Sequence, residues 1–387
     1  MEQNETKKRS FREFLNGCGI SLSPKLYFVD AMSAMALGLF ASLLIGTIFG
    51  TLATYTGLTI FATIAKYAKM ATGMAIGVAI AHKLGADPLA IYSCAAVGAM
   101  ANEMGAVISD GAILTWAATA KPADIDAVFY SSGPAGAFLV VLIACELGKL
   151  VSKKTKVDIL VTPVVTLVVG FLASWLLTPI VAYVMYYLGV FIAAATTYLP
   201  FVMGIIVSVV MGIILTLPIS SAAICAMIFS ETALAVALAN GTAEGFLLAG
   251  GACVAGCCAQ MVGFAASSFR ENGFGGVIAQ GLGTSMLQMG NIVKNPMVWI
   301  PPTLASAITG PIATCLFKLE CTGVSAGMGT CGLVGPIGVF SDMGFTVNSV
   351  VGVILVCLVL PAALSLLFSE IMRKLGWIKA GDMQLDL

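Results

Sequence analysis

Long apolar runs broken by short polar punctuation dominate the chain. Runs of this kind recur from residue 30 to residue 372, and about 20 consecutive apolar residues are what a helix needs to cross a hydrocarbon core of about 30 Å. The pattern predicts spans at 30–50, 58–82, 88–107, 133–151, 158–188, 200–217, 219–240, 245–268, 296–317 and 346–372. Alternating segments of the sort that build transmembrane β-barrels are not seen. Three further segments, 108–132, 269–295 and 318–345, are apolar enough to enter a membrane but too broken by glycine and polar residues to cross it. Residues 1–29 form a charged lead-in. There Phe11, Phe14 and Leu15 beside Lys7, Lys8, Arg9 and Arg12 predict an interfacial helix. No small-residue cleavage site follows, so a cleavable signal is not expected.

The stretch ADPLAIYSCAAVGAMANEM (86–104) aligns weakly with AEGFLLAGGACVAGCCAQM (243–261), pairing Asp87 with Glu244, Glu103 with Gln260 and Met104 with Met261. Five spans in each half would make the second half inverted relative to the first, an arrangement that sets a solute site near the midplane between the halves. The expected fold is therefore an all-α polytopic membrane protein. It has about ten transmembrane helices in two five-helix halves related by an inverted repeat, with re-entrant hairpins. The segments are an N-terminal lead-in (1–29), a first repeat (30–195), a second repeat (196–375) and a cytoplasmic tail (376–387).

Composition agrees: 59% of the 387 residues are hydrophobic and 10% charged, against about 25% charged in soluble domains. Fifteen of the nineteen Lys and Arg residues fall on segments that share one side of this layout, which places both termini in the cytoplasm by the positive-inside rule. A net charge of zero implies no nucleic-acid partner. Eleven cysteines lack metal-ligand spacing. Cys253, Cys257 and Cys258 sit in a small-residue helix and read as packing residues, so neither a metal nor a cofactor is expected.

Chemistry is concentrated in GGVIAQGLGTSMLQMGNIVKNP (275–296). Its glycines let the chain turn, and irregular backbone at membrane depth must be buried in protein or line a wet cavity. Gln280, Thr284, Gln288, Asn291 and Asn295 supply neutral donors and acceptors suited to a hydroxyl-rich, uncharged solute. Gln280, Thr284 and Gln288 are four apart and share a face if 278–290 is a short helix. Substituting Gln288 or Asn291 by alanine is expected to weaken solute binding and leave folding intact. Asn102, Glu103 and Asp110 form a second polar cluster, to which the repeat adds Gln260. A carboxylate there must be paired, protonated or wetted, and three roles stay open: solute contact, proton coupling and the outer interface. Arg270 and Glu271 are expected to pair with each other at the mouth of the second dip, with contact between Arg270 and an anionic substrate group as the alternative. Lys66, Lys69, Glu231 and His82 have no assigned role.

The runs GCCAQMVGFAASSFRENGFGGVIAQGLGTSMLQMGNIVKNPMVWIPPTLASAITGPIATCLFK, TKVDILVTPVVTLVVGFLASWLLTPI and MGIILTLPISSAAI resemble the type-2 IIC-like membrane subunits of bacterial phosphotransferase systems, in the branch that includes perfringolysin O regulator-like proteins. The resemblance covers nearly everything from about residue 28. It implies a multi-pass protein of the bacterial inner membrane that binds and moves a small solute, a sugar above all. It also implies a homodimer whose separate IIA and IIB partner proteins relay phosphate. The Gly-Ile-Thr-Glu-Pro motif of other sugar-specific IIC families is missing, and its nearest local counterpart is Lys294-Asn295-Pro296. The spans and dips use up the chain, so the lipid bilayer, the solute and the relay proteins are its expected partners, and any phosphoryl transfer depends on those proteins. Two alternatives stay open: a gradient-driven secondary transporter of another small metabolite, and a membrane sensor or regulator with a transporter-like core.

Overall fold

The computed structural model describes residues 14, 15, 17–21, 23–109, 112–120, 128–217 and 221–385. The expected helix around Phe11 and Arg12, and Asp110, lie outside the described residues. By its contacts the chain divides into two compact units, Met1–Tyr186 and Tyr187–Leu387.

In unit 1, α1 (Leu26–Thr54) is followed by α2 (Thr59–Met70) and α3 (Thr72–Lys83), which bend by 48° at their junction. Then come α4 (Pro88–Glu103) and α5 (Gly133–Val151). Glycine sets the spacing of α3 against α4. A Cβ on Gly73 would lie 2.6 Å from the Gly98 carbonyl oxygen, and one on Gly77 would collide with the Cys94 carbonyl. Gly73 and Gly77 are one turn apart, the small-xxx-small pattern that brings membrane helix backbones together. On the flank of the unit, the Asp87 carboxylate accepts hydrogen bonds from Lys153 and from Ser152 Oγ (2.8 Å). The Lys153 hydrogen bond holds the Asp87 carboxyl below the usual carboxylate range.

One expectation for this unit fails. The expected span 88–107 ends at Glu103, and most of the described residues of the expected re-entrant segment 108–132 instead belong to a three-stranded antiparallel sheet. Its strands are β1 (Gly105–Ser109), β2 (Ala112–Ala118) and β3 (Val128–Ser131), in the order β2-β1-β3. The reason is local. Val107, Ile108, Thr115, Trp116, Val128, Phe129 and Tyr130 are β-branched or aromatic and suit a pleated surface. Exposure alternates along most of β2 with the period of a strand. Gly105 leaves room for the Tyr130 carbonyl across the ladder.

A long helix, α6 (Asp158–Tyr198), carries the unit boundary. Its 41 residues give about 60 Å of length, and its surface shows exposed Leu160, Phe171, Trp175 and Phe191, as a lipid-facing helix must.

Unit 2 contains α7 (Pro200–Thr216), α8 (Ser221–Ala239, broken at Ser230), α9 (Ala243–Ser267), α10 (Phe269–Ile278), α11 (Met289–Lys294), α12 (Ile300–Pro311), α13 (Val334–Met343) and α14 (Val347–Lys374). The hub is α9, whose most apolar stretch is 89% buried. Its small residues admit neighbours on every side. Gly256 faces Ser208 of α7, Gly263 faces Pro302 of α12 and Ser365 of α14, and Gly250 and Gly251 face the Cys321 and Leu319 carbonyls. Cys253, Cys257 and Cys258 are buried free thiols in this packing. The glycine-rich stretch 322–340 folds into 3₁₀ turns leading into α13, with Val324, Ala326 and Thr330 buried. Among the described residues, six helices are long and apolar enough to cross a membrane, or seven if the bent pair counts as one. The shorter Pro200–Thr216 and α12 account for part of the difference from ten.

Candidate functional site

Segment 269–299 departs from a regular helix at each of its glycine or polar punctuation marks. Gly273 takes φ 55°, a left-handed value that kinks α10. Residues Ala279–Gly283 form a π-helical turn. Thr284 is extended (φ −159°) and caps a 3₁₀ turn by accepting from the Met286 N–H at 3.2 Å. Asn295 accepts from the Met297 N–H at 3.1 Å and so caps the turn that Pro296 opens.

Gln280, Thr284 and Gln288 therefore do not share the face of one helix. The break at Thr284 folds the chain back, and the two glutamines meet directly. The polarity of the hairpin is inside out. Phe274, Ile278, Leu282 and Val293 are exposed at 77%, 62%, 47% and 72%, while Gln280, Ser285 and Gln288 are fully buried. A water-exposed loop would show the reverse.

The buried amides form a ladder. Gln280 Nε2 donates to Ser268 Oγ (2.9 Å), Gln288 Nε2 to Gln280 Oε1 (2.9 Å), and Asn291 Nδ2 to Gln288 Oε1 (2.8 Å). Its outer edge holds the C-terminal tail. Gln288 Nε2 also donates to the Met383 carbonyl (3.0 Å), Asn291 Nδ2 to the Gln384 carbonyl (2.8 Å), and Asn295 Nδ2 to the Trp377 carbonyl (3.0 Å) and Asp382 Oδ2 (2.8 Å). Asn272 completes the grip. It donates to the Met383 carbonyl and accepts from the Leu385 N–H, both at 2.8 Å. Below the ladder Ile378 and Met383 of the tail are buried with Phe264, Ile292, Val298 and Met372. The tail thus packs on the hairpin through two apolar anchors and a row of main-chain carbonyls.

The remaining expected residues lie apart from the ladder. Gln260, fully buried in α9, accepts from Trp299 Nε1 (3.1 Å) and donates to Thr303 Oγ1 (3.1 Å). It is the centre of a knot that ties α9 to α12. Thr216 extends the knot to the hairpin through Ser285, 3.0 Å away. In unit 1, Asn102 is partly buried beside Gly73, with its Oδ1 lacking a hydrogen-bond partner, and Glu103 is exposed.

Arg270 and Glu271 do not pair with each other. Arg270 reaches Glu370 at 2.9 Å, and Glu271 reaches Arg373 at 3.1 Å. The second pair is partly buried, with 10% of the Glu271 and 14% of the Arg373 side chain exposed. These partners stand about a hundred residues apart, so no sequence spacing could have found them.

A cavity of about 320 Å³ lies elsewhere in unit 2, lined among others by Thr196, Thr197, Thr314 and Cys315 and flanked by Glu244 and Lys318. Lys318 bonds Glu244 at 2.8 Å, and that bond raises the lysine's pKa. Burial, followed by the nearby Asp342 and Glu244 charges, raises the neighbouring Glu320. The volume is at the small end of the range for ligand pockets, roughly 300–1,000 Å³.

No curated protein and no solved structure matches the chain. Family comparison does return a match, over residues 29–385, to the family described as "Phosphotransferase system, EIIC". With nearly the whole chain matched and apolar helices running through it, the protein belongs to this family of multi-pass transport subunits of the bacterial inner membrane.

Proposed function

We propose that the chain is the permease component that binds and moves a small hydroxyl-rich solute, a sugar, while separate IIA and IIB proteins relay the phosphate. The observation that carries this reading is the inside-out hairpin: exposed apolar side chains on its exterior and a buried row of neutral amides within. An amide offers both a donor and an acceptor without a fixed charge, which matches a solute whose hydroxyls do the same. In this reading Gln280, Gln288, Asn291 and Asn295 hold the solute. The tail carbonyls at Met383 and Gln384 occupy the Gln288 and Asn291 donors in the tail-bound state, and solute hydroxyls replace them when the tail moves away. Asn102, Glu103, Asp110, Gln260 and Thr284 are proposed to act along the same path, which two inverted five-helix halves would share. Both termini face the cytoplasm in this proposal, and the functional unit is a homodimer.

The test is uptake by vesicles that contain the purified protein. Accumulation of phosphorylated sugar only when phosphoenolpyruvate and the soluble relay proteins are supplied supports the proposal. Uptake that collapses with the proton or sodium gradient and ignores phosphoenolpyruvate refutes it.

A further inference from the structure

Buried polar atoms cost free energy unless they are hydrogen-bonded, so each orphan asks for an explanation. Among the described residues of unit 2, the buried side-chain atoms without a hydrogen-bond partner are Ser267 Oγ, Glu271 Oε2, Ser365 Oγ, Ser369 Oγ and Arg373 Nε. All five belong to one seam, where α14 packs on the end of α9 and the start of α10. Ser365, Ser369 and Arg373 follow each other at intervals of four and occupy one face of α14. Across from them Gly263 meets Ser365, and Arg373 donates to the Ser267 carbonyl (3.3 Å) and to Glu271 Oε1 (3.1 Å).

Serine within a helix normally satisfies itself by donating to the carbonyl one turn back. Ser42, Ser93, Ser268 and Ser306 all do so. Ser267, Ser365 and Ser369 do not, although they are almost completely buried. The ion pair is also half satisfied. Glu271 Oε1 receives both Arg373 Nη1 and the Gly381 N–H (3.0 Å), which leaves Oε2 without a donor and Arg373 Nε without an acceptor.

The unmet groups define a ligand. Glu271 Oε2 only accepts, Arg373 Nε only donates, and the three hydroxyls do either. An ammonium would leave the guanidinium unmet, and an anion would face the carboxylate. A neutral molecule bearing adjacent hydroxyls meets both, one hydroxyl donating to Oε2 and the next accepting from Nε–H. The seam also continues the amide ladder, because Ser268, next to Ser267, accepts from Gln280.

We propose that the seam between Ser365 and the Glu271–Arg373 pair is a polyol subsite that takes vicinal hydroxyls of the solute. The inference rests on the permease reading above and names residues which that reading does not use. Hydroxyls can come from the solute or from ordered water, and the experiment separates the two.

Thermal unfolding of the purified full-length protein is followed in detergent against increasing concentrations of hexoses and hexitols. Ser267→Ala and Ser369→Ala are compared with wild type, and Ser33→Ala, at an exposed serine of unit 1, serves as the control. Each seam variant should weaken the apparent affinity for the stabilising polyol by about 3- to 10-fold, the equivalent of one hydrogen bond, while the control leaves it unchanged. Equal affinity in wild type and both seam variants overturns the subsite. A lower melting temperature without solute, with affinity unchanged, assigns the seam to ordered water and also overturns it. If no hexose or hexitol stabilises even the wild type, the permease reading itself falls and takes the subsite with it.

Discussion

Gln288 offers the sharpest test of how unit 2 holds together. Its side chain is fully buried and makes three hydrogen bonds: Nε2 to Gln280 Oε1 and to the Met383 carbonyl, and Oε1 from Asn291 Nδ2. Gln288→Met keeps an unbranched side chain of similar bulk and removes all three. Asn291 retains the Gln384 carbonyl, and Met383 retains Asn272, so Gln280 Oε1 is the atom left without a donor. A hydrogen bond inside a membrane protein contributes about 0.6 kcal/mol on average, against about 1 kcal/mol in soluble proteins. Three such bonds and one stranded acceptor therefore put the cost at about 2–4 kcal/mol. For a unit of some 200 residues this lowers Tm by roughly 4–15 °C. The assay is thermal unfolding in detergent, with hydrogen exchange at the Leu385 amide as a local reading of the tail. A melting temperature within 1 °C of wild type would refute the ladder as a stabilising element. It would restore the simpler expectation that Gln288 touches solute and nothing else.

Three further outcomes follow from the packing. Met383→Ala empties a fully buried site among Phe264, Ile292 and Val298, at a cost of about 2–5 kcal/mol; trypsin should then cut after Lys379 faster than in wild type, and an unchanged rate would mean the tail is not anchored there. Gly251→Ala drives a methyl group into the Leu319 carbonyl, and overpacking of about 1–3 kcal/mol should appear as a lower melting temperature and a lower yield of monodisperse protein. The Lys153 hydrogen bond keeps the Asp87 carboxyl below its usual range, so its contribution to stability is complete above about pH 4 and fades as pH falls through the lowered value. Asp87→Asn should therefore melt earlier than wild type at pH 7, and the gap should narrow below pH 4. A gap that widens with acid would reverse the sign of this reasoning.

How much of this was legible beforehand differs from segment to segment. The apolar runs that became α1, α5, α6, α9 and α14 could be read directly, because about 20 apolar residues leave a helix few alternatives in lipid. Segment 105–131 could not. Its small and aromatic residues suit a broken helix as well as a strand, and the pairing of Gly105 with Ser131 and Ala118 decided between them. The polarity of 275–295 was visible as composition, yet four-residue spacing wrongly put Gln280, Thr284 and Gln288 on one helix. The extended conformation of Thr284 overrides that period and lets the glutamines meet through a turn.

The sequence alone therefore determined the class of the molecule: hydrophobicity made it a helical membrane protein with its neutral polar chemistry gathered in one glycine-broken segment, and the resemblance of its long runs pointed to the phosphotransferase IIC type. Hydrophobicity and glycine content act locally, and local terms survive any rearrangement of the distant chain. Only the tertiary structure decided what those polar groups touch. The pairing of Glu271 with Arg373, the docking of the tail on Gln288 and Asn291, and the row of unsatisfied serines facing α9 each join residues roughly a hundred positions apart. A hydrogen bond depends on distances of a few ångströms, and the folded backbone alone supplies them.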